Sequence, residues 1–215
     1  MGAATAVRPP RQARTRATWQ RILDVGLEIL EQDGYAGLTI PALCARAGVT
    51  PPTIYARAPS KEILLLAIYD HAIERITRVD TLDPDDARWR TFESTEQVIA
   101  EAVRVVAGIW LRNARLLRAL VYRSGVDAET FARGSQHSID LGRRFRALLL
   151  ARPELAGSAQ AAERIDVCFR MVYAALVQRV MFGEGFESDL PLADEALQRA
   201  LVEVVSGYLI GEVGR

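Results

Sequence analysis

The chain has 215 residues, half of them hydrophobic, and its 27 basic side chains balance 27 acidic ones, so the formal net charge is zero. This length allows one large or two small domains with a sizeable core. The N-terminal segment lacks the apolar stretch of a signal peptide, and no run of about 18 or more apolar residues indicates a membrane span. We therefore expect a cytoplasmic protein without membrane contact.

Positive charge is concentrated in the N-terminal part of the chain. Residues 1–61 carry eight Arg or Lys side chains against four Asp or Glu side chains. The first 18 residues hold four Arg and no acidic side chain. We interpret residues 1–15 as a disordered basic arm, which could solubilise the chain or reach the minor groove of DNA. A local excess of this kind is typical of a protein that binds phosphates.

Residues 18–48 predict two helices separated by a short loop. The first runs from about Thr18 to Gln32 and is stopped by Gly34. The second is capped by the hydroxyl of Thr39 and ends before Gly48, where a left-handed conformation is favourable only for glycine. Small alanine side chains on the second helix would let another helix approach closely.

A third helix is predicted directly after this turn. Thr50 caps it, Pro51 occupies its first position, and Ile54 points back towards the second helix. Two short helices joined in this way form a helix-turn-helix, whose second helix enters the major groove of DNA. An ordinary pair of packed helices would share much of this pattern, and that alternative stays open.

We predict that the outer face of the third helix contacts DNA. Base contacts are expected from hydroxyl groups and from proline rings that can meet thymine methyl groups; the residues are Thr50, Pro51, Pro52, Thr53 and Tyr55. Phosphate contacts fix the register without reading sequence, and these are expected from Thr39, Arg57 and Lys61.

The remainder of the chain predicts further helices and no strands. A fourth helix runs from about Lys61 to Val79, and a polar break follows at Asp80 to Asp86. Apolar spacing then predicts helices at about 92–110, 116–122, from Ser135 to before Pro153, 159–182 and 193–210.

Five short motifs occur in order along residues 16–70. They are Arg21–Leu30, Asp33–Tyr35, Thr39–Val49, Thr53–Tyr55 and Pro59–Leu65. Together they resemble the N-terminal domain of the tetracycline-repressor (TetR) family of bacterial regulators, although Ala56–Ala58 replace the aromatic residues that usually follow the tyrosine. The resemblance implies an all-α fold of about nine helices. A helix-turn-helix domain would span residues 16–62, and a ligand-binding and dimerisation domain residues 63–215.

The resemblance also implies a homodimer whose interface is formed by the last two long helices. DNA readers of this type bind as two-fold dimers, because two half-sites about one helical turn apart raise the affinity. Each of these helices carries an apolar stripe, and the predicted interface residues are Ile165, Phe169, Val172, Leu176, Leu197, Leu201 and Val205. A simple core role for the stripes stays open.

A small-molecule pocket in the C-terminal domain is likewise implied by the resemblance. A ligand bound there would change the spacing of the two DNA-reading heads and so release an operator. The predicted lining residues favour a hydrophobic or aromatic ligand; they are Trp110, Leu117, Tyr122, Phe145, Phe169 and Tyr173. An anionic ligand is the alternative, held by Arg112, Arg115, Arg118 and Arg123, although such charges more often form a solvated face.

Other classes of function have weaker support in the sequence. His71 and His137 are the only histidines, and neither lies in a nucleophile motif or a phosphate-binding loop, so we predict no enzyme, no metal site and no cofactor. Cys44 and Cys168 are far apart in sequence and give neither a disulfide framework nor a metal-binding spacing. The alternatives to a ligand-released repressor on double-stranded operator DNA are a redox- or metal-responsive regulator and a helical interaction protein.

Overall fold

The computed structural model describes residues 13–79, 82–157 and 159–211, and all regular structure in these ranges is helical. Ten α-helices occur there, with a short 3₁₀ helix at Ala87–Thr91. The helices are α1 (Ala13–Gly37), α2 (Ile40–Ala47), α3 (Pro51–Tyr55), α4 (Lys61–Val79), α5 (Thr95–Arg112), α6 (Ala114–Ser124), α7 (Ala128–Leu150), α8 (Pro153–Ala156), α9 (Ala161–Phe182) and α10 (Asp194–Ile210). The predicted all-α fold is confirmed. No helix within these ranges is long and apolar enough to cross a bilayer.

Helix α1 extends beyond the predicted span at both ends. Thr18 to Gln32 lies within Ala13–Gly37, and Gly34 interrupts the helix with a φ of 64° and a ψ of −168°. This backbone region is almost confined to glycine, so the predicted stop is a break within a longer element. Residues 13–15, predicted as part of a disordered arm, are helical, and residues 1–12 lie outside the described ranges.

The described residues form two compact units. The first comprises those up to Arg78 together with Arg115–Gly134, and the second comprises Val79–Ala114 and those from Ser135 onward. This division differs from the predicted one after residue 62, because α4 packs with the N-terminal helices. Ile68 of α4 lies so close to Gly26 of α1 that a Cβ atom at position 26 would collide with it.

An aliphatic core holds the short helices of the first unit. Ile22 and Leu27 of α1, Leu43 of α2, Ile54 of α3 and Leu64 of α4 are all buried. Helices as short as α2 and α3 are not stable alone in water, so this packing is what holds them in place.

Helix α5 is the centre of the second unit. A capping box of Ser94 and Gln97 starts it, with the Gln97 backbone N–H donating to Ser94 Oγ at 3.2 Å. Buried residues then occur on all sides of the helix, as expected when other helices enclose it. Helices α9 and α10 pack against it.

Two elements differ from the predicted pattern. Helix α7 begins at Ala128 and not near Ser135, because Asp127 Oδ1 accepts a hydrogen bond from the Thr130 backbone N–H at 2.7 Å and so caps the earlier start. Hydrogen bonds from Thr130 also hold the pKa of the Asp127 carboxyl below its usual value. Helix α8 was not predicted: Pro153, read as a stop, occupies its first turn.

Candidate nucleic-acid interface and cavity

The turn between α2 and α3 is fixed by capping groups. Thr39 Oγ1 accepts a hydrogen bond from the Ala42 backbone N–H at 3.2 Å at the start of α2. At the end of α2, Gly48 is left-handed, with φ 62° and ψ 43°, and its backbone N–H donates to the Cys44 carbonyl. Both features match the sequence prediction. They set the direction in which the chain enters α3.

Helix α3 has only five residues, Pro51–Tyr55, and Ile54 anchors it as a fully buried side chain. Thr50 stands at the N-cap position without a side-chain capping bond, so this part of the prediction is wrong. The cause is local: Pro52 has no N–H, and the Thr53 N–H donates to the Thr50 carbonyl at 2.9 Å. The two threonine hydroxyl oxygens instead lie 3.1 Å apart.

The residues predicted to contact bases surround this helix, and we call them the reading face. They are Thr50, Pro51, Pro52, Thr53 and Tyr55. Thr53 is half-buried and the others are exposed, Tyr55 at 47%. The face offers hydroxyl groups that can donate or accept and apolar proline rings. This is suitable chemistry for hydrogen bonds to base edges and contacts with thymine methyl groups.

Two of the predicted phosphate-contacting cations lie against aromatic rings of α1. The guanidinium carbon of Arg57 is 5.8 Å from the centroid of the Trp19 ring, and Lys61 Nζ is 4.1 Å from the centroid of the Tyr35 ring. Lys61 Nζ also donates to the Tyr35 carbonyl at 3.4 Å. Both cations are half-buried, whereas the third predicted residue, Thr39, is exposed. Aromatic contacts of this kind limit the positions of the charged groups.

Tyr35 carries a second cation on its ring. The guanidinium carbon of Arg123 in α6 is 4.5 Å from the same centroid, and Arg123 Nη2 pairs with Asp127 Oδ2 at 2.9 Å. Burial lowers the pKa of Lys61; the charge of Glu62 opposes this shift and that of Arg123 adds to it. Sequence reasoning missed this cluster because its cations and ring come from three separate helices.

Other basic residues of this region connect α2 to α1. Arg21 Nε donates to the Ala47 carbonyl at the end of α2 at 3.0 Å. Arg46 donates to Gln32 Oε1 at 3.0 Å and pairs with Asp33 Oδ2 at 2.7 Å. Part of the local positive charge seen in the sequence therefore has a structural role.

The second unit contains a cavity of about 360 Å³ between α7 and α9. Two residues predicted to line a pocket, Phe169 and Tyr173, form part of its wall. Arg146 and Asp166 lie in the same wall, and sequence reasoning did not select them. Charged residues on helices usually face solvent, so nothing in their spacing distinguished them.

The other predicted pocket residues lie elsewhere. Trp110 is buried with its ring edge-on to that of Tyr173, the centroids being 5.0 Å apart, and Phe145 is fully buried in the core. Leu117 and Tyr122 belong to the first unit, and Tyr122 is 69% exposed. These four residues do not line the cavity, since aromatic residues at helical spacing serve a core equally well.

The residues predicted for a dimer interface are mostly buried within the protomer itself. Ile165, Phe169, Val172, Leu176 and Val205 are buried, and Leu197 and Leu201 are half-buried. A different apolar stripe is exposed on the same two helices, formed by Val167, Met171, Ala174, Val204 and Tyr208. Because α9 is apolar on opposite sides, its periodicity did not reveal which side faces the core.

Thiol and imidazole groups are dispersed. Burial raises the pKa of the Cys168 thiol to about 11, and Cys44 is half-buried in α2. His71 Nε2 lies 2.7 Å from Asp24 Oδ1. Across the described ranges, no group of three or more His, Cys, Asp and Glu side chains is arranged to hold a metal ion. The two cysteines lie in different compact units.

The capped turn, the buried anchor of α3 and the exposed reading face define a helix-turn-helix protein. Residues 22–68 match the family described as "Bacterial regulatory proteins, tetR family". The match covers the N-terminal domain, so this part of the chain is similar to the TetR family.

Curated relatives and solved structures are also similar to this chain. Uncharacterized HTH-type transcriptional regulators of Mycobacterium bovis and Mycobacterium tuberculosis are 32% identical over 66 residues, which is 31% of this chain and 31% of theirs. The chain thus covers about a third of the length of these curated relatives. A putative TetR-family regulator from Mesorhizobium loti superposes with a TM-score of 0.68 at 16% identity, over 92% of this chain and 98% of its own. One from Rhodococcus sp. gives 0.68 at 12% identity, over 90% and 99%. These structures show the likeness of fold.

Proposed function

We propose that this protein is a sequence-specific DNA-binding transcriptional regulator, a homodimeric repressor that a small molecule releases from its operator. The observation that carries the proposal is the reading face. Four of its five residues are exposed, it is held by a capped turn and a buried anchor, and it lies within the segment that matches the TetR family. A helix held in this way can enter the major groove without first having to fold.

The contacts divide by chemistry. Thr50, Thr53 and Tyr55 contact base edges, and the adjacent proline rings contact thymine methyl groups. Thr39, Arg57 and Lys61 contact phosphates. A guanidinium has five N–H donors in a planar fork, so Arg57 can lie over the Trp19 ring, 5.8 Å from its centroid, and donate to a phosphate.

A two-fold dimer presents two reading faces to successive half-sites. The exposed apolar stripe on α9 and α10 supports such a dimer, because a stripe of this kind on a long helix favours burial against another chain. Its members are Val167, Met171, Ala174, Val204 and Tyr208. Of the residues first predicted for the interface, Leu197 and Leu201 keep some exposed surface for this contact.

Release by a ligand is supported by the cavity and by one continuous helix. Helix α7 contributes its residues up to Gly134 to the first unit and those from Ser135 onward to the second, where they reach the cavity wall. A ligand that binds one conformation of α7 more tightly than another would favour that conformation along the whole helix, including the α7 residues that belong to the first unit.

The test is fluorescence anisotropy with the DNA immediately upstream of the protein's own coding region, a scrambled duplex of the same composition and a salt series. We expect tighter binding to the upstream DNA and affinity that falls steeply with salt. Tyr55→Ala should abolish the preference. Tyr122→Ala, which truncates an exposed tyrosine that is not part of the reading face, should keep it.

Equal affinity for both duplexes would mean that the upstream DNA does not contain the operator. The operator would then be sought by selection from a random duplex library. If no sequence is enriched by the parent protein, the proposed function is wrong. If Tyr55→Ala and Tyr122→Ala behave alike, the placement of the reading face is wrong.

A further inference from the structure

We propose that the cavity between α7 and α9 binds a small aromatic carboxylate, with its ring against Phe169 and its carboxylate held by Arg146. The inference rests on the proposed function only for its regulatory consequence, since binding is a property of the cavity alone. The sequence predicted a hydrophobic or aromatic ligand, and the proposal narrows this class to an aromatic carboxylate. The arginine that binds the anion is Arg146, and not one of the four arginines between residues 112 and 123 that the sequence suggested.

One part of the wall suits a flat apolar ring. Phe169, Ile139 and Ala174 contribute apolar surface, and Ala174 also belongs to the exposed stripe. The volume of about 360 Å³ lies at the low end of small-molecule sites. Gly142 brings the backbone of α7 against the Phe169 ring, since a Cβ atom at position 142 would lie 2.8 Å from a carbon of that ring. The ring also lies 5.7 Å from those of Phe145 and Tyr173 by centroid, so two neighbouring rings limit its position.

The other part of the wall carries an excess of positive charge. Asp166 accepts from both Arg146, at 3.3 Å, and Arg170, at 2.7 Å, while Arg143 pairs with Asp140 at 3.0 Å. Three guanidinium groups therefore share two carboxylates. Each guanidinium has five N–H donors in a planar fork, so N–H groups remain for a third carboxylate, which a fork can bind in a bidentate way.

Arg146 is the most enclosed of the three arginines, with 36% of its side chain exposed against 63% for Arg143 and 76% for Arg170. Charge interactions are screened least where solvent is partly excluded. Of the three arginines, Arg146 should therefore have the strongest electrostatic interaction with a bound carboxylate.

Hydroxyl groups complete the polar part of the wall. Ser138 Oγ and the Tyr173 phenol are hydrogen-bonded to each other, and burial raises the pKa of the phenol. The pair stays uncharged at neutral pH and adds polar atoms to the wall. A wholly apolar ligand would cover the arginines without pairing them, which is unfavourable. A carboxylate pairs with them.

The test compares two probes of nearly equal shape, 2-naphthoate and 2-naphthamide, by isothermal titration calorimetry with the full chain and no DNA. We expect 2-naphthoate to bind roughly ten-fold more tightly than the amide at low salt, which is the size of one charge-assisted hydrogen bond. The difference should shrink as salt is raised.

Charge-removing variants locate the site. Arg146→Gln should weaken 2-naphthoate roughly ten-fold and leave 2-naphthamide unchanged. Arg144→Gln is the matched control, because Arg144 is an exposed arginine of the same helix that does not line the cavity. Arg170→Gln, on a largely exposed side chain, gives a smaller loss and is the second variant in case Arg146→Gln does not fold.

Three results would overturn the inference: equal affinities for the two probes, no heat from either probe at millimolar concentration, or equal losses in the Arg144 and Arg146 variants. The DNA assay is read separately. If 2-naphthoate binds through Arg146 while operator affinity is unchanged by it, the carboxylate site stands and ligand release is wrong. If the protein does not bind DNA at all, the calorimetric result still decides the site.

Discussion

The ammonium group of Lys61 lies 4.1 Å from the centre of the Tyr35 ring, so the first residue of α4 is held against the last turns of α1. The same ring holds Arg123 of α6. One tyrosine thus connects two cations from helices that are distant in sequence. Lys61 is the only lysine of the chain, so its ionisation can be followed without overlap from others.

The first prediction concerns the Lys61 pKa, which burial lowers. Arg123→Gln removes a nearby like charge and should raise this pKa. Glu62→Gln removes an opposite charge and should lower it further. Reductive ¹³C-methylation labels the single lysine, and an NMR titration of that signal gives the pKa. The signal of the α-amino group is the internal control, and shifts of the same sign in both variants would contradict the geometry.

The second prediction concerns the phosphate contacts. Lys61→Ala and Arg57→Gln should each weaken binding to operator and scrambled DNA alike and reduce the slope of log affinity against log salt by about 1. Anisotropy at four or more salt concentrations measures this slope. Arg90→Gln removes an exposed charge of the second unit and should leave it unchanged. Slopes that match the parent in the first two variants would remove these residues from the interface.

The third prediction concerns the left-handed Gly48. Gly48→Ala should lower the free energy of unfolding by about 1–2 kcal/mol, because a Cβ atom is disfavoured at this φ. No atom lies within 4 Å of the Cβ position, so the cost is conformational and not a collision. Gly48→Asn should cost less, since asparagine tolerates this region. Urea unfolding of both variants checks the order, and the reverse order would show that the turn has another conformation.

The fourth prediction concerns the proposed homodimer. Val204→Asp places a charge in the exposed apolar stripe and should shift the protein to a monomer in sedimentation velocity at micromolar concentration. Val126→Asp is the matched control, because Val126 is even more exposed, at 71% against 52%, and lies outside the stripe. A dimer that survives Val204→Asp, or one that is lost in Val126→Asp, would place the interface elsewhere.

The fifth prediction concerns Cys168, whose pKa burial raises to about 11. In a Cys44→Ser variant, the rate of iodoacetamide labelling should be very low at pH 8 and rise about ten-fold per pH unit towards pH 11, because only the thiolate reacts. The unfolded variant in urea should react rapidly at pH 8. Fast labelling of the folded variant at pH 8 would show that the thiol is accessible and ionised, and would favour the redox-responsive alternative.

Elements whose limits depend on local chemistry were predictable from the sequence. The limits of α4 agree with those predicted, Lys61–Val79, because Ser60 supplies the initiating cap and the apolar spacing is regular. The helix-turn-helix was also predicted, since Thr39 caps α2 with its side chain and Gly48 ends it, although the pattern alone allowed an ordinary pair of packed helices as well. The start of α7 was missed because the cap at Asp127 precedes a largely polar stretch, where periodicity gives little signal.

Features that depend on which helix face turns inward could not be predicted. Helix α9 is apolar at Val172, which is buried, and at Met171, which is exposed, so spacing alone could not choose the core side. The cavity depends on Arg146 and Asp166 meeting across two helices 20 residues apart in sequence. In the sequence these charged residues have the spacing of a solvent-exposed helix face, and only the folded structure shows that they line a cavity.

The edge-on contact between Trp110 and Tyr173 has a practical consequence. Tyr173 lines the cavity, and Trp110 is one of three tryptophans, the others being Trp19 and Trp89. With those two replaced by phenylalanine, indole emission comes from a single site whose neighbour is the cavity wall. The protein therefore carries its own optical reporter, through which filling of the cavity can be watched in real time without an added label.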